Sequence, residues 1–461
     1  MADLPLPGTQ LRSLAAAIPG PVRTLLGALW DAGQAAYVVG GSLRDAALGR
    51  PAADWDLASD ALPERVLEIF PGAVYENRFG TVAVRRGHEL FEITTFRSDH
   101  DYADFRRPHR IEFGDTIELD LARRDFTVNA MAWGARAGET PALVDPFGGL
   151  VDIEARVLRA VGEPSVRFAE DALRMVRAVR LAATLGFAVE ADTLAALRAQ
   201  SSLVAHISGE RIASELSKLL AAPEPSVGLR LMSETGLLEQ ISAELASQRR
   251  IPQNKVPGED LWDHTLRTVD AAPADRPVVR LAALLHDIGK PAAFADGHFL
   301  HHDTIGAKTA ASLLDRLRSP RAVRDRVVAL VEHHMFSYET GWSQAAVRRF
   351  IGKIGALGDG ALDELLALRE ADNIGSGLPA EAGLLDELRA RIAAELAAEV
   401  VLDRHGLAID GDDLMTELGL PQGPLLGRML DDLLERVIVD PGLNDRPTLL
   451  LLAQAMLRDE P

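Results

Sequence analysis

The stretch GGSLRDAALGRPAADWDLAS, residues 40–59, decides the reading of this chain. The apolar run Ala36 to Val39 before it has strand character and ends in Gly40-Gly41, and Ser42 to Leu48 then opens a helix. Paired glycines at a strand-to-helix turn let backbone N–H groups approach a phosphate, and the helix start adds a favourable dipole. Arg44 is placed to hold a triphosphate, with a tight structural turn as the competing reading. Nine residues on, Asp54-Trp55-Asp56 leads into a second strand, so alternation puts Asp54 and Asp56 on one face. Two carboxylates on one face repel unless a cation neutralises them. Mg²⁺ takes carboxylate oxygens and shares its shell with substrate phosphates. A solvated turn would carry the same residues.

Working outward, Gly80 to Arg85 and Leu90 to Phe96 alternate around a hairpin turn at Arg86-Gly87-His88. Glu92 in the second of these strands is either a third carboxylate or part of an exposed face. Arg123-Arg124-Asp125 places two cations beside an acid and runs into a helix-like apolar segment ending at Met131. Arg124 and Asp125 suit contacts to phosphate and ribose; a surface ion pair capping a helix would look the same. After about residue 155 the spacing becomes helical almost to the end. Glu170 to Arg177 reads as one helix with Asp171 and Arg174 on one face, as an ion pair or as a recognition pair. The expected fold class is α+β. A small mixed-sheet head spans 1–150, an all-helical neck 151–222, a helical body 223–385 and a helical tail 386–461.

In this order the motifs resemble the class II template-independent nucleotidyltransferases of the polymerase β superfamily, which comprise CCA-adding tRNA nucleotidyltransferases and bacterial poly(A) polymerases. The resemblance is carried by residues 40–59 with FEITTFR (91–97), RRDFTVNAMA (123–132), DPFGGLVDIEARVLRAVG (145–162), EDALRMVRAVRLAATLGF (170–187) and Gly209-Glu210-Arg211-Ile212. Leu181 stands where the family usually has Phe. The resemblance implies addition of C, C and A to tRNA from CTP and ATP, with Asp54, Asp56 and Glu92 catalytic and Mg²⁺ on Asp54 and Asp56. It assigns Gly40, Gly41 and Arg44 to the triphosphate, and Arg124 and Asp125 to telling ribose from deoxyribose. Asn129, Arg177 and Arg180 belong to the nucleotide-binding set. Asp171 and Arg174 become a protein template. A carboxylate accepts from the exocyclic amine that cytosine and adenine share and repels the carbonyl of uracil and guanine, while Arg donates to ring acceptors. Arg97 and the stretch Asp101 to Thr116 resemble the family's loop linked to terminal A addition.

Seven of the twelve histidines (264, 286, 298, 301, 302, 333 and 334) fall between 264 and 334. Leu281, Leu284, Leu285 and Ile288 form one helical face beside His286-Asp287. Imidazole and carboxylate suit Mn, Fe, Ni or Mg without thiols. The order His264, His286-Asp287, Asp372 resembles the HD phosphohydrolase superfamily, and His302 and His333 look like the extra ligands of some members. The resemblance implies a divalent transition metal or Mg²⁺ in the body and, if the site is active, hydrolysis of a phosphoester. A vestigial fold with packed histidines is the alternative.

Composition bounds the rest. The chain has 461 residues, no cysteine and a net charge of −19. Disulfides, a thiol nucleophile and thiolate zinc sites are excluded. No apolar run is long enough for a membrane helix and no signal peptide is evident, so a cytoplasmic protein is expected. Acid excess argues against nucleic acid in general, but residues 391–461 hold 6 Lys+Arg against 14 Asp+Glu, net −8. That acidic tail disfavours a poly(A) polymerase, which usually carries a basic one. Arg428 and Arg436 are the tail's main candidates for tRNA contact. The remaining alternatives are an HD phosphohydrolase whose head only binds nucleotide, and a binding module without catalysis. Oligomeric state is not legible.

Overall fold

The computed structural model describes residues 14–459 apart from 53, 78, 79, 103–107, 115 and 254. The chain divides into two compact units, Met1–Ala243 and Glu244–Pro461. The expected fold class matches this mixed α+β architecture, but the neck expected to be all helical also carries a short parallel pair, Val157–Leu158 with Ala188–Val189.

The first unit is built on a seven-stranded sheet. Its strands are β1 (Ala36–Val39), β2 (Asp56–Ser59), β3 (Val74–Asn77), β4 (Thr81–Arg86), β5 (Glu89–Thr95), β8 (Ala132–Ala135) and β9 (Ala142–Val144), in the order β3-β4-β5-β2-β1-β8-β9. A separate pair, β6 (Arg97–Tyr102) and β7 (Pro108–Phe113), flanks residues outside the description. β1 is apolar throughout because both its faces are buried. Ala36 and Val38 join the core with Leu57 and Ile93, while Tyr37 and Val39 join a second core with Ala58 and Phe96 on the other face. β2 lies antiparallel to β1, with Asp56 opposite Val39, and parallel to β5, with Leu57 opposite Ile93. That register brings Asp56 beside Glu92.

The helix after β1 is α1 (Gly41–Ala47). At seven residues it is short, so phosphate attraction here rests on close backbone approach more than on a macrodipole. The neck does not contain one helix across Glu170 to Arg177. α2 (Pro164–Glu170) stops, Asp171 is extended at φ −145° and ψ 103°, and α3 (Leu173–Leu185) starts afresh. α4 (Gly209–Leu220) packs against α3. The apolar segment after Asp125 is likewise not helical. It is one 3₁₀ turn, Thr127–Asn129, leading into β8, because Phe126, Val128, Ala130 and Met131 are all fully buried and no solvent face exists for an amphipathic helix.

In the second unit α6 (Pro277–Leu285) is central. It packs against α5 (Leu261–Ala271), α8 (Arg321–His333) and α9 (Ala361–Gly375), and α7 (His302–Arg316) packs on α8. Ala282 to Leu285 are all buried, so the C-terminal half of α6 is enclosed on every side rather than on one face. A small hairpin, β10 (Phe294–Ala295) and β11 (His298–Phe299), precedes α7. The tail closes its own apolar core around Leu414, Leu433, Val437 and Leu449. Arg428 and Arg436 line a depression of about 500 Å³ there with Asp431 and Asp432. Among the described residues, no helix is long and apolar enough to cross a membrane.

Candidate active site and metal centre

The ends of β1, β2 and β5 frame a cleft of about 290 Å³ lined by Val39, Asp56, Leu57, Thr81, Glu92, Thr94, Arg97, Arg123 and Arg124. Asp56 and Glu92 reach it from adjacent parallel strands. Asp54 lies two residues before β2 rather than within it, and Trp55 between the two acids is buried. Both Asp54 and Asp56 are exposed. Asp56 keeps exposed surface, but partial desolvation of its carboxyl in the cleft raises it, with Arg124 opposing and Asp54 adding to the rise. Two or three hard carboxylates at an open cleft are the donor chemistry that Mg²⁺ accepts together with substrate oxygens.

Gly40 is required by the cleft. Its φ is +82°, and a Cβ there would meet Arg124 Nη1 at 3.0 Å and approach Asp56 Oδ2 at 3.8 Å. Arg124 is held from behind by Asp120, 3.2 Å away and buried, which also holds Arg123 at 2.6 Å. Arg44 sits deeper than a free phosphate ligand would. It pairs with Asp45 at 2.8 Å, and its Nη1 donates to Asn129 Oδ1 at 2.6 Å. Asn129 Nδ2 in turn donates to Asp125 Oδ1 at 3.1 Å. Burial alone would raise the Asp125 carboxyl; the Arg177 guanidinium at 2.7 Å and the Asn129 and Phe126 N–H groups hold it below its ordinary value.

The Asp171 and Arg174 side chains take different partners, although Arg174 N–H donates to the Asp171 carbonyl at 3.0 Å. Arg211 donates to both Asp171 oxygens, at 3.2 and 2.7 Å, and Leu173 N–H donates to Asp171 Oδ1 at 3.1 Å. Arg174 is buried, with Nη1 donating to Glu170 at 2.6 Å and to the Arg167 carbonyl, and Nη2 to the Arg123 carbonyl at 2.8 Å. Arg180 pairs with Glu215 at 2.6 Å. Arg211 and Glu215 thus belong to the network although sequence reading gave them no role. The Gly209-Glu210-Arg211-Ile212 motif was the available signal. Of the stretch Asp101 to Thr116, residues 103–107 and 115 lie outside the described residues.

The histidine centre is the opposite kind of site. His264 comes from α5, His286 and Asp287 from the end of α6, His302 from the start of α7, His334 from just beyond α8 and Asp372 from α9, and all are buried. Two donor groups share Asp287: His264, His286 and Asp287, and Asp287, His302 and His334. Asp372 Oδ1 lies 3.3 Å from His264 Nε2. His286, His302 and His334 each place Nδ1 2.7 to 2.8 Å from a backbone carbonyl three residues earlier, which fixes Nε2 toward the centre. Asp287 Oδ1 and the Nε2 atoms of His302 and His334 are buried without a hydrogen-bond partner. Orphaned nitrogen and oxygen donors aimed together fit a divalent metal.

His333 is not among these donors. It is partly exposed, and its neighbour His334 continues the buried face of Val327, Leu330 and Val331. The spacing 327, 330, 331, 334 follows one helical face and could have selected the right histidine. Sequence reading also missed Lys290, 2.7 Å from Asp287 Oδ2, and Lys255, 3.6 Å from Asp372 Oδ1. Burial alone would raise the Asp287 carboxyl, but His286, Lys290 and His264 hold it well below the usual carboxylate range. Burial pushes His286 and His302 down. Gly289 makes the assembly possible. A Cβ there would lie 2.2 Å from the His302 carbonyl oxygen and 2.5 Å from Gly306 N, so only glycine lets α7 approach.

Comparison with known proteins finds three family matches along the chain. The poly A polymerase head domain family matches residues 36–159, "Probable RNA and SrmB- binding site of polymerase A" matches 186–248, and the HD domain family matches 239–376. The head and HD families are metal-dependent. The CCA-adding enzyme of Geobacillus thermodenitrificans is 49% identical over 206 residues, which is 44% of this chain and 50% of that protein. The chain therefore spans half the length of that relative. The CCA-adding enzyme of Geobacillus kaustophilus is 34% identical over 424 residues, 90% of this chain and 91% of that protein. The crystal structure of the Bacillus stearothermophilus CCA-adding enzyme in complex with CTP superposes with a TM-score of 0.70 at 30% identity, covering 96% of this chain and 99% of that one.

Proposed function

Because the chain belongs to the CCA-adding enzyme family, we propose that it adds C, C and A to the 3′ end of tRNA, taking CTP and ATP as substrates. The observation that carries this reading is the cleft that gathers Gly40, Asp56, Glu92, Arg97 and Arg124 at the ends of three strands. Asp54 and Asp56 are the residues to hold Mg²⁺. When bound there, Mg²⁺ supplies activation of the tRNA 3′-hydroxyl and neutralisation of the pyrophosphate leaving group. Glu92 completes the carboxylate set.

The chain's own residues do the rest. Gly40 lets the triphosphate pass close to the backbone, and Arg124, braced by Asp120, faces it with a fixed fork. Arg44 carries the triphosphate end of a relay through Asn129 to Asp125. Asp125 stays ionised and accepts from a ribose hydroxyl, which a deoxyribose lacks. Asp171 is held by Arg211 and offers its carboxylate to the exocyclic amine of C or A. Arg174 stands beside it, with Arg177 and Arg180 supporting the same wall. With tRNA as substrate, the proposed place of action is the cytoplasm. The test is tRNA lacking CCA, incubated with Mg²⁺ and single labelled nucleotides. Addition of C residues followed by one A supports the reading; long A tracts on any RNA would establish a poly(A) polymerase instead.

The buried orphan donors favour a second reading for the other unit, hydrolysis of a phosphoester. His264, His286, Asp287 and Asp372 would hold one divalent metal, and Asp287, His302 and His334 offer a second position. Such a metal supplies Lewis-acid polarisation of a phosphoryl oxygen and acidifies water. Lys290 and Lys255 attract the anionic ester to the centre. The test is hydrolysis of a generic phosphodiester by protein loaded with Mn²⁺, Ni²⁺ or Co²⁺; inertness with all three refutes it.

A further inference from the structure

The strand order β4-β5-β2-β1 sets the order of groups across the head cleft. Gly40 and Arg124 stand at the β1 end, Asp56 on β2, Glu92 and Thr94 on β5, and Thr81 on β4. Three strand spacings of about 4.8 Å separate β1 from β4, so Gly40 and Thr81 flank Asp56 from opposite sides. The register puts the four strand residues on one face. Thr81 pairs with Thr94 and Ala83 with Glu92 across β4 and β5, and Leu57 pairs with Ile93 across β2 and β5. Asp56, Glu92, Thr94 and Thr81 therefore point the same way, and all four line the cleft.

Nucleotidyl transfer constrains which substrate lies on which side. The 3′ oxygen of the growing chain bonds the α-phosphorus of the incoming nucleotide, the bond from that phosphorus to its bridging oxygen breaks, and pyrophosphate leaves. The attacking and leaving oxygens lie roughly in line. With the triphosphate on the Gly40 and Arg124 side, the growing end enters from β5 and β4. There the cleft offers two hydroxyls. Thr81 Oγ1 and Thr94 Oγ1 lie 3.2 Å apart, and either can donate. Two hydroxyls that share one bond keep one proton and several lone pairs for a ligand. Thr95, on the opposite face of β5, instead commits its hydroxyl to the Ala61 carbonyl at 2.7 Å. A Thr–Thr pair steadies a sheet wherever it stands, but this one stands on the wall opposite the triphosphate. The base at the growing end changes with each step of C, C and A addition, whereas its ribose does not. A site that accepts every successive end gains by reading the sugar.

We propose that the Thr81–Thr94 hydroxyl pair holds the 2′-hydroxyl of the ribose at the growing tRNA end, leaving its 3′ oxygen to face Asp56 and Glu92. This rests on the nucleotidyl-transfer reading of the cleft. Both threonines are specificity-determining residues for an RNA end, distinct from Asp125, whose partner is the ribose of the incoming nucleotide.

The experiment uses the full chain with Mg²⁺, CTP and two tRNAs lacking CCA, identical but for a ribose or a 2′-deoxyribose at the 3′-terminal nucleotide. Wild type is compared with Thr81→Val/Thr94→Val, in which both partners of the mutual bond go together and no hydroxyl is left unpaired. One lost hydrogen bond predicts that wild type extends the deoxy end with a kcat/KM about fivefold lower. The valine pair should lose about fivefold on the ribose end, lose nothing further on the deoxy end and keep the wild-type KM for CTP. Thr81→Ser/Thr94→Ser, which keeps both hydroxyls, should retain the discrimination. Equal use of both ends by wild type overturns the proposal, and so does discrimination that survives in the valine pair. A valine pair with an altered KM for CTP has a disturbed sheet, and Thr81→Ala/Thr94→Ala then takes its place with the same two outcomes. A wild type that extends neither end defeats the nucleotidyl-transfer reading, and the proposal falls with it.

Discussion

The head cleft and the histidine centre both bring acids together, and they do so in opposite ways. In the cleft Asp54 and Asp56 are exposed and no three carboxylates among the described residues come close enough to share an ion. In the centre the donors are buried, their imidazoles fixed by backbone carbonyls, and two donor groups meet at one carboxylate. An open carboxylate set completes its metal shell with substrate oxygens, so metal and nucleotide arrive together. A sealed imidazole set would hold its ion before any substrate is present. The contrast separates a site assembled by its substrate from one assembled by folding.

The sharpest break of this comparison is Asp56→Ala. Loss of a cleft carboxylate should cut C and A addition by about a thousandfold or more, measured on labelled tRNA ends, while the metal content of the second unit stays at the wild-type level. A loss of that bound metal would show that the two sites are not independent. Next is Asp287→Asn. Because both donor groups use this residue, metal content by elemental analysis should fall close to zero while nucleotide addition stays within about twofold of wild type. Retention of one ion would mean that the groups load separately. A smaller effect is expected for Arg211→Ala. Freed from its clamp, the Asp171 carboxylate should lose about tenfold in kcat/KM for CTP, or about 1.4 kcal/mol, and discriminate less against UTP. The smallest is His333→Ala, with stability within about 0.5 kcal/mol of wild type and unchanged metal content, whereas His334→Ala should lower that content.

Much of the first unit was legible because its signals are local. β1 lies at Ala36–Val39 as read, and the β4–β5 hairpin turns at Gly87-His88. The errors arose where distant residues overrule local spacing. Nothing within Glu170 to Arg177 announces a break, yet Arg211 from α4 clamps Asp171 and Ala172 is fully buried, which sets the junction between α2 and α3. Thr127 to Met131 reads as a helix-like apolar run, but it is enclosed on all sides and forms one 3₁₀ turn. The histidine centre was legible in its four principal donors, through their order. The structure gathers His302 with Asp287 and His334, and His334 rather than His333 turns inward because it continues the buried face of Val327, Leu330 and Val331. Lys290 stood in plain view after Gly289 and was passed over because a lysine is not a metal ligand.

Gly289 carries a consequence beyond packing. The distance between His302 and Asp287 depends on an atom that position 289 does not have. A donor inventory would therefore score a Gly289→Ala chain as intact, with every ligand still present. Lineages could lose this centre silently through that one methyl group, keeping all the recognisable letters of the motif while the activity behind them is gone.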